Sequence, residues 1–297
     1  MDPSFVSIGM PVYNSERFVR RALDSVLAQD YENFELIISD DGSSDATPQI
    51  CRDYAGRDKR VTLYENACNI GPLANFRRVL DAARGEYFMW AAHDDYRDTN
   101  YVRVLIERLQ AADQFGLCCA RYVKVMPDGQ VISEHSFPNP KSTGVLPATR
   151  RIMAGSGAPW AYGLYRTAWL RPIFCQVQKV NLIWFWDHLL ILNFLLNQAL
   201  TGTNETTIYQ VKTGLSALIY KPQSFAGYVR FAARLVPEIF KILLRSKLTP
   251  AQKLGLSPNL ILYMEMQVFH LRHWGPARAT LQYARHRYRW MKQRVVA

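Results

Sequence analysis

The strongest constraint on this chain of 297 residues is an alternation. Short apolar runs that read as strands are each followed by a stretch with helical spacing. Phe5–Val12 is a continuous apolar run around Gly9, the pattern of a buried strand. Asn14–Ser15 end it. Glu16–Gln29 then carry Phe18, Val19, Ala22, Leu23, Val26 and Leu27 at the spacing of one helix face. Phe34–Ser39 is a second strand, closed by Asp40-Asp41-Gly42. A helix is expected over Ala46–Ala55, with Ser43, Ser44 or Asp45 as its cap and Pro48 tolerated in the first turn. Val61–Tyr64 and Tyr87–Ala92 read as strands. Pro72–Ala83, stopped near Gly85, and Tyr101–Asp113 read as helices. Such alternation predicts an α/β fold with a mostly parallel sheet flanked by helices. Ligands of such sheets sit beyond the carboxyl ends of the strands. Three polar clusters, Tyr13–Asn14, Asp40–Asp41 and Asp94–Asp95, are therefore expected on one edge.

The pattern changes after Phe115. Leu117–Val125 and Val131–Ser136 flank Pro127-Asp128-Gly129 and predict a hairpin. Pro138–Pro147 reads as a loop, and Gly-rich Ala154–Trp160 as irregular. Asn181–Leu200 is long enough to span a bilayer, but it holds Asp187, His188, Asn193, Asn197 and Gln198. A buried helix over Trp184–Leu200 is the expectation. Phe225–Lys247 predicts an amphipathic helix, with Phe225, Tyr228, Val229, Ala232, Leu235, Val236, Ile239, Phe240 and Leu243 on its apolar side. Arg230, Arg234, Lys241 and Arg245 occupy the other side.

Charge divides the chain in the same place. The net charge is +11, yet residues 1–210 hold 21 basic and 23 acidic residues. Residues 211–297 hold 15 basic residues and two acids, Glu238 and Glu265. The domain expectation follows: a catalytic domain over 1–210, with halves of about 1–115 and 116–210, and a basic helical region over 211–297. Leu260–Trp274 and Ala277–Val296 repeat the mixture of apolar and basic residues. An anionic membrane surface is the expected partner of residues 225–297. Helices packed on the catalytic domain, or a homo-oligomer interface, are the competing readings. No nucleic-acid motif accompanies the charge, so nucleic acid is not expected. Cys51, Cys68, Cys118, Cys119 and Cys175 show no metal-ligand spacing and read as free thiols of a reducing compartment. Met1–Ser7 lacks the basic start and apolar core of a leader, so a cytoplasmic protein, peripheral on the inner face of the cell membrane, is expected.

Two adjacent carboxylates after a strand, Asp94–Asp95, suit a divalent cation when a phosphate binds beside them. Mg²⁺ and Mn²⁺ take carboxylate and phosphate oxygens, and such an ion neutralises a leaving diphosphate. The same pair also fits a solvated turn or a cap before Thr99. Asp40–Asp45 is equally two-sided. Gly42 permits a tight turn and Asp41 can accept from a base N–H, but a plain turn with a helix cap uses the same residues.

Four ordered motifs carry a resemblance. Val6-Ser-Ile-Gly-Met-Pro-Val-Tyr-Asn14, Leu36-Ile-Ile-Ser-Asp-Asp-Gly-Ser-Ser-Asp45, the stretch with Asn69-Ile-Gly71, Asn75 and Gly85-Glu-Tyr87, and Ala92-His-Asp-Asp95 resemble family 2 inverting glycosyltransferases of the GT-A, Rossmann-like fold. The likeness is strong over residues 5–96, weaker from about 100 to 200, and absent after 210. It implies a nucleotide pocket lined by Pro11, Val12 and Tyr13, with Tyr13 packed on the base and Asp41 bonded to it. It implies further nucleotide contacts from Asn14, Asn69, Gly71 and Asn75. Asp94 would lie near the ribose, and Asp95 would bind Mn²⁺ or Mg²⁺. Many members carry an acid where this chain has Ala92, so the ion would rest on few protein ligands. The family base starts a helix well after the metal motif, and the one acid between 140 and 204 is Asp187, in Trp184-Phe-Trp-Asp-His188. Asp187 is therefore expected to deprotonate the acceptor, and an N-cap explains it as well. Trp160, Tyr162, Trp184, Trp186 and His188 are candidates for the acceptor side, with ordinary core as the rival reading for the aromatics.

The resemblance implies transfer of one sugar from a nucleoside-diphosphate sugar, UDP or dTDP first, to a sugar or lipid-linked acceptor in cell-surface polysaccharide or glycolipid assembly. Arg285-His-Arg-Tyr-Arg-Trp290 superficially resembles the Gln-x-x-Arg-Trp signature of processive members, but His286 stands at the Gln position. A nucleotidyltransferase would need a Gly-rich basic loop after the first strand, which Pro11–Asn14 is not. A non-catalytic nucleotide-sugar-binding or membrane-scaffolding protein is the remaining alternative.

Overall fold

A computed structural model describes residues 4–138, 144–213 and 220–265. The chain forms two compact units. The larger comprises Met1–Phe137, Gly157–Phe194 and Ala199–Lys221, and the smaller Pro138–Ser156, Leu195–Gln198 and Pro222–Ala297.

The larger unit opens with β1 (Val6–Val12), α1 (Val19–Leu27), β2 (Phe34–Asp40), α2 (Thr47–Arg57), β3 (Val61–Glu65), α3 (Pro72–Ala82) and β4 (Tyr87–Trp90). β1, β2 and β4 are buried along their whole length. That is why they read as continuous apolar runs rather than alternating ones. β1 pairs in parallel with β2 and β4, and β2 with β3. Gly9 is required at the centre, because a Cβ there would come within 2.7 Å of Val79 and 2.8 Å of Phe88. The first helix is shorter than its apolar spacing suggests, since residues 16–18 form turns. Asp45 caps near the start of α2 by accepting from the Thr47 N–H at 2.9 Å.

β5 (Tyr96–Arg97), α4 (Tyr101–Gln110), β6 (Leu117–Val125) and β7 (Val131–His135) follow. β6 and β7 form the expected antiparallel hairpin, with a bulge at Lys124/Val125. Two readings of the middle region need correction. Residues from Val145 belong to α5 (Val145–Gly155), where Pro147 sits in the tolerated first turn, and Ala158–Tyr162 form a 3-10 helix rather than irregular chain. β8 (Leu164–Arg166), α6 (Thr167–Val180), α7 (Trp186–Leu196) and β9 (Leu200–Val211) complete this part. β8 and β9 carry the sheet outward in the order β3-β2-β1-β4-β8-β6-β9-β5. β6 runs antiparallel to β8 and parallel to β9, so the carboxyl ends of β4, β6 and β9 share one edge.

The smaller unit contains α5, α8 (Phe225–Arg245) and α9 (Pro250–Met264). Thr249 and Gln252 cap α9 reciprocally. The apolar side of α8 is narrower than predicted. Phe231, Leu235, Ile239 and Leu243 are buried at a four-residue spacing, while Phe225 and Val229 face solvent. The expected helical segments over residues 266–297, and the motif at 285–290, lie outside the described residues. All five cysteines are free. Among the described residues no helix is long and apolar enough to cross a membrane.

Candidate active site

The loops after β1 and β2 are laced together. Asn14 takes a left-handed conformation, with φ of 45°. Its N–H donates to Ser43 Oγ at 2.9 Å, and its Oδ1 accepts from the Ser44 N–H at 2.9 Å. Asp40 holds the turn by accepting from Ser43 at both carboxylate oxygens. Gly42 has φ of 71° and lies against the Cys68 backbone, so only glycine is unstrained there. Tyr13, beside these loops, is 45% exposed. Pro11 and Val12, at the end of β1, are buried.

Asp41 is 2% exposed and fastens the next loop. Its Oδ1 accepts from Asn66 Nδ2 at 3.0 Å and from the Ile70 N–H at 2.8 Å, and its Oδ2 from the Gly71 N–H at 3.1 Å. An ionised carboxylate offers about four acceptor positions. Among the described residues, Oδ2 accepts this one bond. Gly71, with φ of 89°, also donates to Asn69 Oδ1 at 2.9 Å. Asn75 is buried and donates to the Ser39 carbonyl at 2.9 Å. It ties α3 to the ends of β1 and β2. Burial first, then Asp41 and Tyr13, raise the phenol of Tyr220, which nothing in its sequence context marked.

Asp94 and Asp95 follow β4. Asp95 is 3% exposed, and its Oδ1 accepts from the Val211 N–H of β9 at 2.9 Å. Burial first, then the neighbouring Asp94 charge, push its carboxyl well above the usual carboxylate range. Arg97 is buried close by, and burial lowers its pKa although Tyr101 and Asp95 favour the cation. Among the described residues, its Nε and Nη2 have no hydrogen-bond partner. Arg97 escaped the sequence reading, although its place two residues after Asp95 on a short strand was the available signal. Among the described residues no cluster of three or more His, Cys, Asp or Glu side chains could hold a metal ion. The donor set nevertheless fits Mg²⁺ or Mn²⁺. These ions are commonly held by one or two carboxylates with substrate phosphates, and a cation would relieve the repulsion between Asp94 and Asp95.

Asp187 lies in the first turn of α7 and is half-buried. Its Oδ1 accepts from the His188 N–H at 2.8 Å. Tyr162 joins this acid to the others. Burial raises the phenol well above its usual range, and the fields of Asp95, Asp94 and Asp187 all add to the effect. Acids from two points of the sequence, Asp94–Asp95 and Asp187, thus act on one buried tyrosine. Trp160 and Trp186 do not form the exposed platform considered for them. Trp160 is 1% exposed and packs on Phe137, and Trp186 packs edge-on against Phe76 and Trp90. Aromatic edges and faces satisfy one another there. Trp184 is half-buried, and among the described residues its indole Nε1 has no partner. His188 is buried and stacks on Phe185 at 4.6 Å, and burial lowers its pKa.

Comparison with known proteins agrees with this geometry. The sequence pattern described as glycosyl transferase family 2 matches residues 7–171. A glycosyltransferase of Streptococcus pneumoniae, GlyA, is 34% identical over 104 residues, which cover 35% of this chain and 15% of that protein. An uncharacterized glycosyltransferase of Haemophilus influenzae is 40% identical over 96 residues, covering 32% and 38% respectively. The chain thus matches well under half the length of these relatives. S. aureus TarS in complex with UDP-GlcNAc superposes with a TM-score of 0.69 at 20% identity, over 94% of this chain and 79% of that one. The mannosyltransferase PcManGT of Pyrobaculum calidifontis, in complex with GDP-Man and Mn²⁺, superposes with a TM-score of 0.53 at 17% identity, over 95% and 80%. At these identities the likeness establishes the shared GT-A architecture.

Proposed function

Because the chain belongs to glycosyl transferase family 2, we propose that it is a metal-assisted, inverting enzyme that moves one sugar from a UDP- or dTDP-sugar to an acceptor hydroxyl. The observation that carries this reading is the parallel pairing of β1, β2 and β4, which brings Tyr13, Asp41, Asp94 and Asp95 to one edge, with Asp95, Asp94 and Asp187 all acting on the buried Tyr162. The solved relatives bound to UDP-GlcNAc and to GDP-Man with Mn²⁺ support a nucleotide-sugar donor and a divalent cation.

Each residue has a task in this reading. Tyr13 packs on the base, and Asp41 accepts from it. Asp94 lies by the ribose. Asp95 holds Mn²⁺ or Mg²⁺, which when bound neutralises the charge of the departing diphosphate. Asp187 takes the proton of the acceptor hydroxyl, whose oxygen forms the new bond to the anomeric carbon as the bond to the diphosphate breaks. One displacement inverts the configuration at that carbon.

The acceptor is a sugar or a lipid-linked sugar of cell-surface polysaccharide or glycolipid assembly. The smaller unit supports docking of a cytoplasmic enzyme on an anionic membrane. Leu244 and Leu254 are 68% and 76% exposed, and Ile261, Phe225 and Val229 also face solvent. Arg230, Arg245, Lys247 and Lys253 lie on the same helices or the turn between them. Co-sedimentation with vesicles should be strong for anionic lipid and lost for neutral lipid. Equal partition into both, or into neither, would contradict docking by charge.

The test of the donor reading is a melting panel with UDP, dTDP, GDP and CDP, each with and without Mn²⁺. A ligand that binds only the native state raises the melting temperature. One nucleotide, UDP or dTDP, should give a shift that grows with Mn²⁺. Nucleotide binding without any transfer or donor hydrolysis would favour the non-catalytic alternative, and no shift at all would remove the donor reading.

A further inference from the structure

Asp187 is reached through an unusual stretch of backbone. Among the described residues, four that are not glycine have a positive φ. Asn14, Asn181 and Gln198 stand at 45°, 52° and 57°, in or near the small left-handed region. Phe185 stands at 94°, beyond that region, where a bulky side chain is strained. It is also the residue through which the chain enters α7. Its carbonyl accepts from the Leu189 N–H at 3.1 Å, so it takes the place of an N-cap, although its side chain offers no oxygen to the free amides of the first turn. Asp187, two residues on, supplies one instead, to the His188 N–H.

Packing explains how the strain persists. The Phe185 ring is buried and stacks on His188 at 4.6 Å. Trp186 is held among Phe76, Trp90 and Phe174, with ring centroids at 4.8, 5.6 and 5.8 Å. Both residues before Asp187 are thus anchored, and the backbone at 185 cannot relax without drawing a ring out of its place. A second penalty stands beside the first. Among the described residues, the Trp184 indole Nε1 is buried without a partner. Local penalties of this kind survive only where the surroundings over-determine them, and they cluster at functional sites.

We propose that Phe185 is a positioning residue for Asp187: its left-handed backbone sets the direction in which α7 leaves the loop, and with it the place of the carboxylate. The proposal rests on the reading of Asp187 as the base. From the same Trp186 anchor, an extended or helical residue at 185 would start α7 in another direction. A carboxylate misplaced by about 1 Å loses about a hundredfold in rate.

The test compares Phe185→Gly with Phe185→Ala in the full chain. Both lose the ring, but only alanine keeps a Cβ that this φ strains. Glycine is ordinarily the less stable of the two. Here Phe185→Gly should melt roughly 2–4 °C above Phe185→Ala. Crystal structures should show the Asp187 carboxylate in its wild-type place with glycine and moved by about 1 Å with alanine. Hydrolysis of UDP-GlcNAc, measured below both melting temperatures, should fall about a hundredfold in kcat with alanine and less than about tenfold with glycine, with UDP affinity unchanged. A residue that only fills space would leave kcat equal in the two variants. Equal kcat, one place for the carboxylate in both, or a glycine variant that melts no higher than alanine would overturn the proposal. If Phe185→Ala fails to fold, the glycine variant decides, and a displaced carboxylate there overturns the proposal. If the wild type does not hydrolyse UDP-GlcNAc, the two crystal structures decide. Asp187→Asn is measured alongside. Near-normal hydrolysis there removes the base reading and this proposal with it. Lost hydrolysis there, with equal kcat in the Phe185 variants, removes this proposal alone.

Discussion

At the amino-terminal edge of the sheet, Ser7, Glu35 and Arg84 hold one another; at the carboxyl edge, Asp94 and Asp95 stand side by side and Asp95 is buried. Both edges carry charge in partly buried surroundings. At the first, Ser7 Oγ donates to Glu35 Oε1 at 2.6 Å and accepts from the Gly85 N–H at 2.8 Å. Arg84 grips Glu35 Oε2 through Nε and Nη2, at 3.0 and 2.6 Å. Burial alone would raise the Glu35 carboxyl, but the bonds from Arg84 and Ser7 outweigh it and the pKa falls. At the second edge the balance is reversed, and burial with Asp94 raises Asp95. Paired charge fastens β1, β2 and the approach to β4. Under the proposed function, the charge at the second edge is the one that a cation and nucleotide would answer.

Four variants probe this contrast, in order of expected effect. Asp95→Asn should lower transfer by at least about a thousandfold, because it removes the cation's support from the leaving group. The amide still accepts from the Val211 N–H. A carboxyl raised in the folded state destabilises the fold at neutral pH, so the cation-free variant should melt at or above the wild-type temperature. A clear fall in melting temperature would place Asp95 with the fastening charges instead. Asp187→Asn should cost between about a hundredfold and ten-thousandfold in kcat, with nucleotide binding and melting unaltered. Near-normal turnover would remove Asp187 as the base.

The third variant crosses the contrast. Asn75 lies at the carboxyl edge but is bonded like a clamp, so Asn75→Ala should destabilise by about 2 kcal/mol and weaken nucleotide binding as the strand ends loosen. Unchanged denaturant stability would contradict the clamp. The smallest effect is expected for Glu35→Gln, about 1 kcal/mol, since Arg84 is open to water. Its pH dependence is the sharper readout. The folded pKa lies below the unfolded one, so this stabilisation is complete above the unfolded value of about 4.3 and is lost as pH falls through the folded value. Wild type should lose part of its stability in that acid range, and Glu35→Gln should lose less. Identical acid limbs would contradict the assignment.

How much of this was legible in the sequence follows from burial. β1, β2 and β4 are covered on both faces, so their apolar runs stood out, and with them the sharing of one edge by Tyr13, Asp41 and Asp94–Asp95. β9 was missed because it reads Leu-Thr-Gly-Thr-Asn-Glu-Thr-Thr-Ile-Tyr-Gln-Val, a polar segment. Its β-branched threonines were the signal. α5 was hidden by Pro147 and by the expectation that glycine and proline mean loop. The buried places of Trp160 and Trp186 could not be read from spacing, because they depend on Phe137, Phe76 and Trp90 arriving from elsewhere in the chain. Phe185 read as part of a helix, and nothing local marked its left-handed backbone.

The most direct measurement is the melting shift produced by the preferred nucleoside diphosphate, with and without Mn²⁺, in wild type and in Asp95→Asn. The account predicts a wild-type shift that grows with Mn²⁺, and in the variant a smaller shift that Mn²⁺ leaves unchanged. An equal gain from Mn²⁺ in both proteins would contradict the claim that Asp95 joins the cation to the nucleotide.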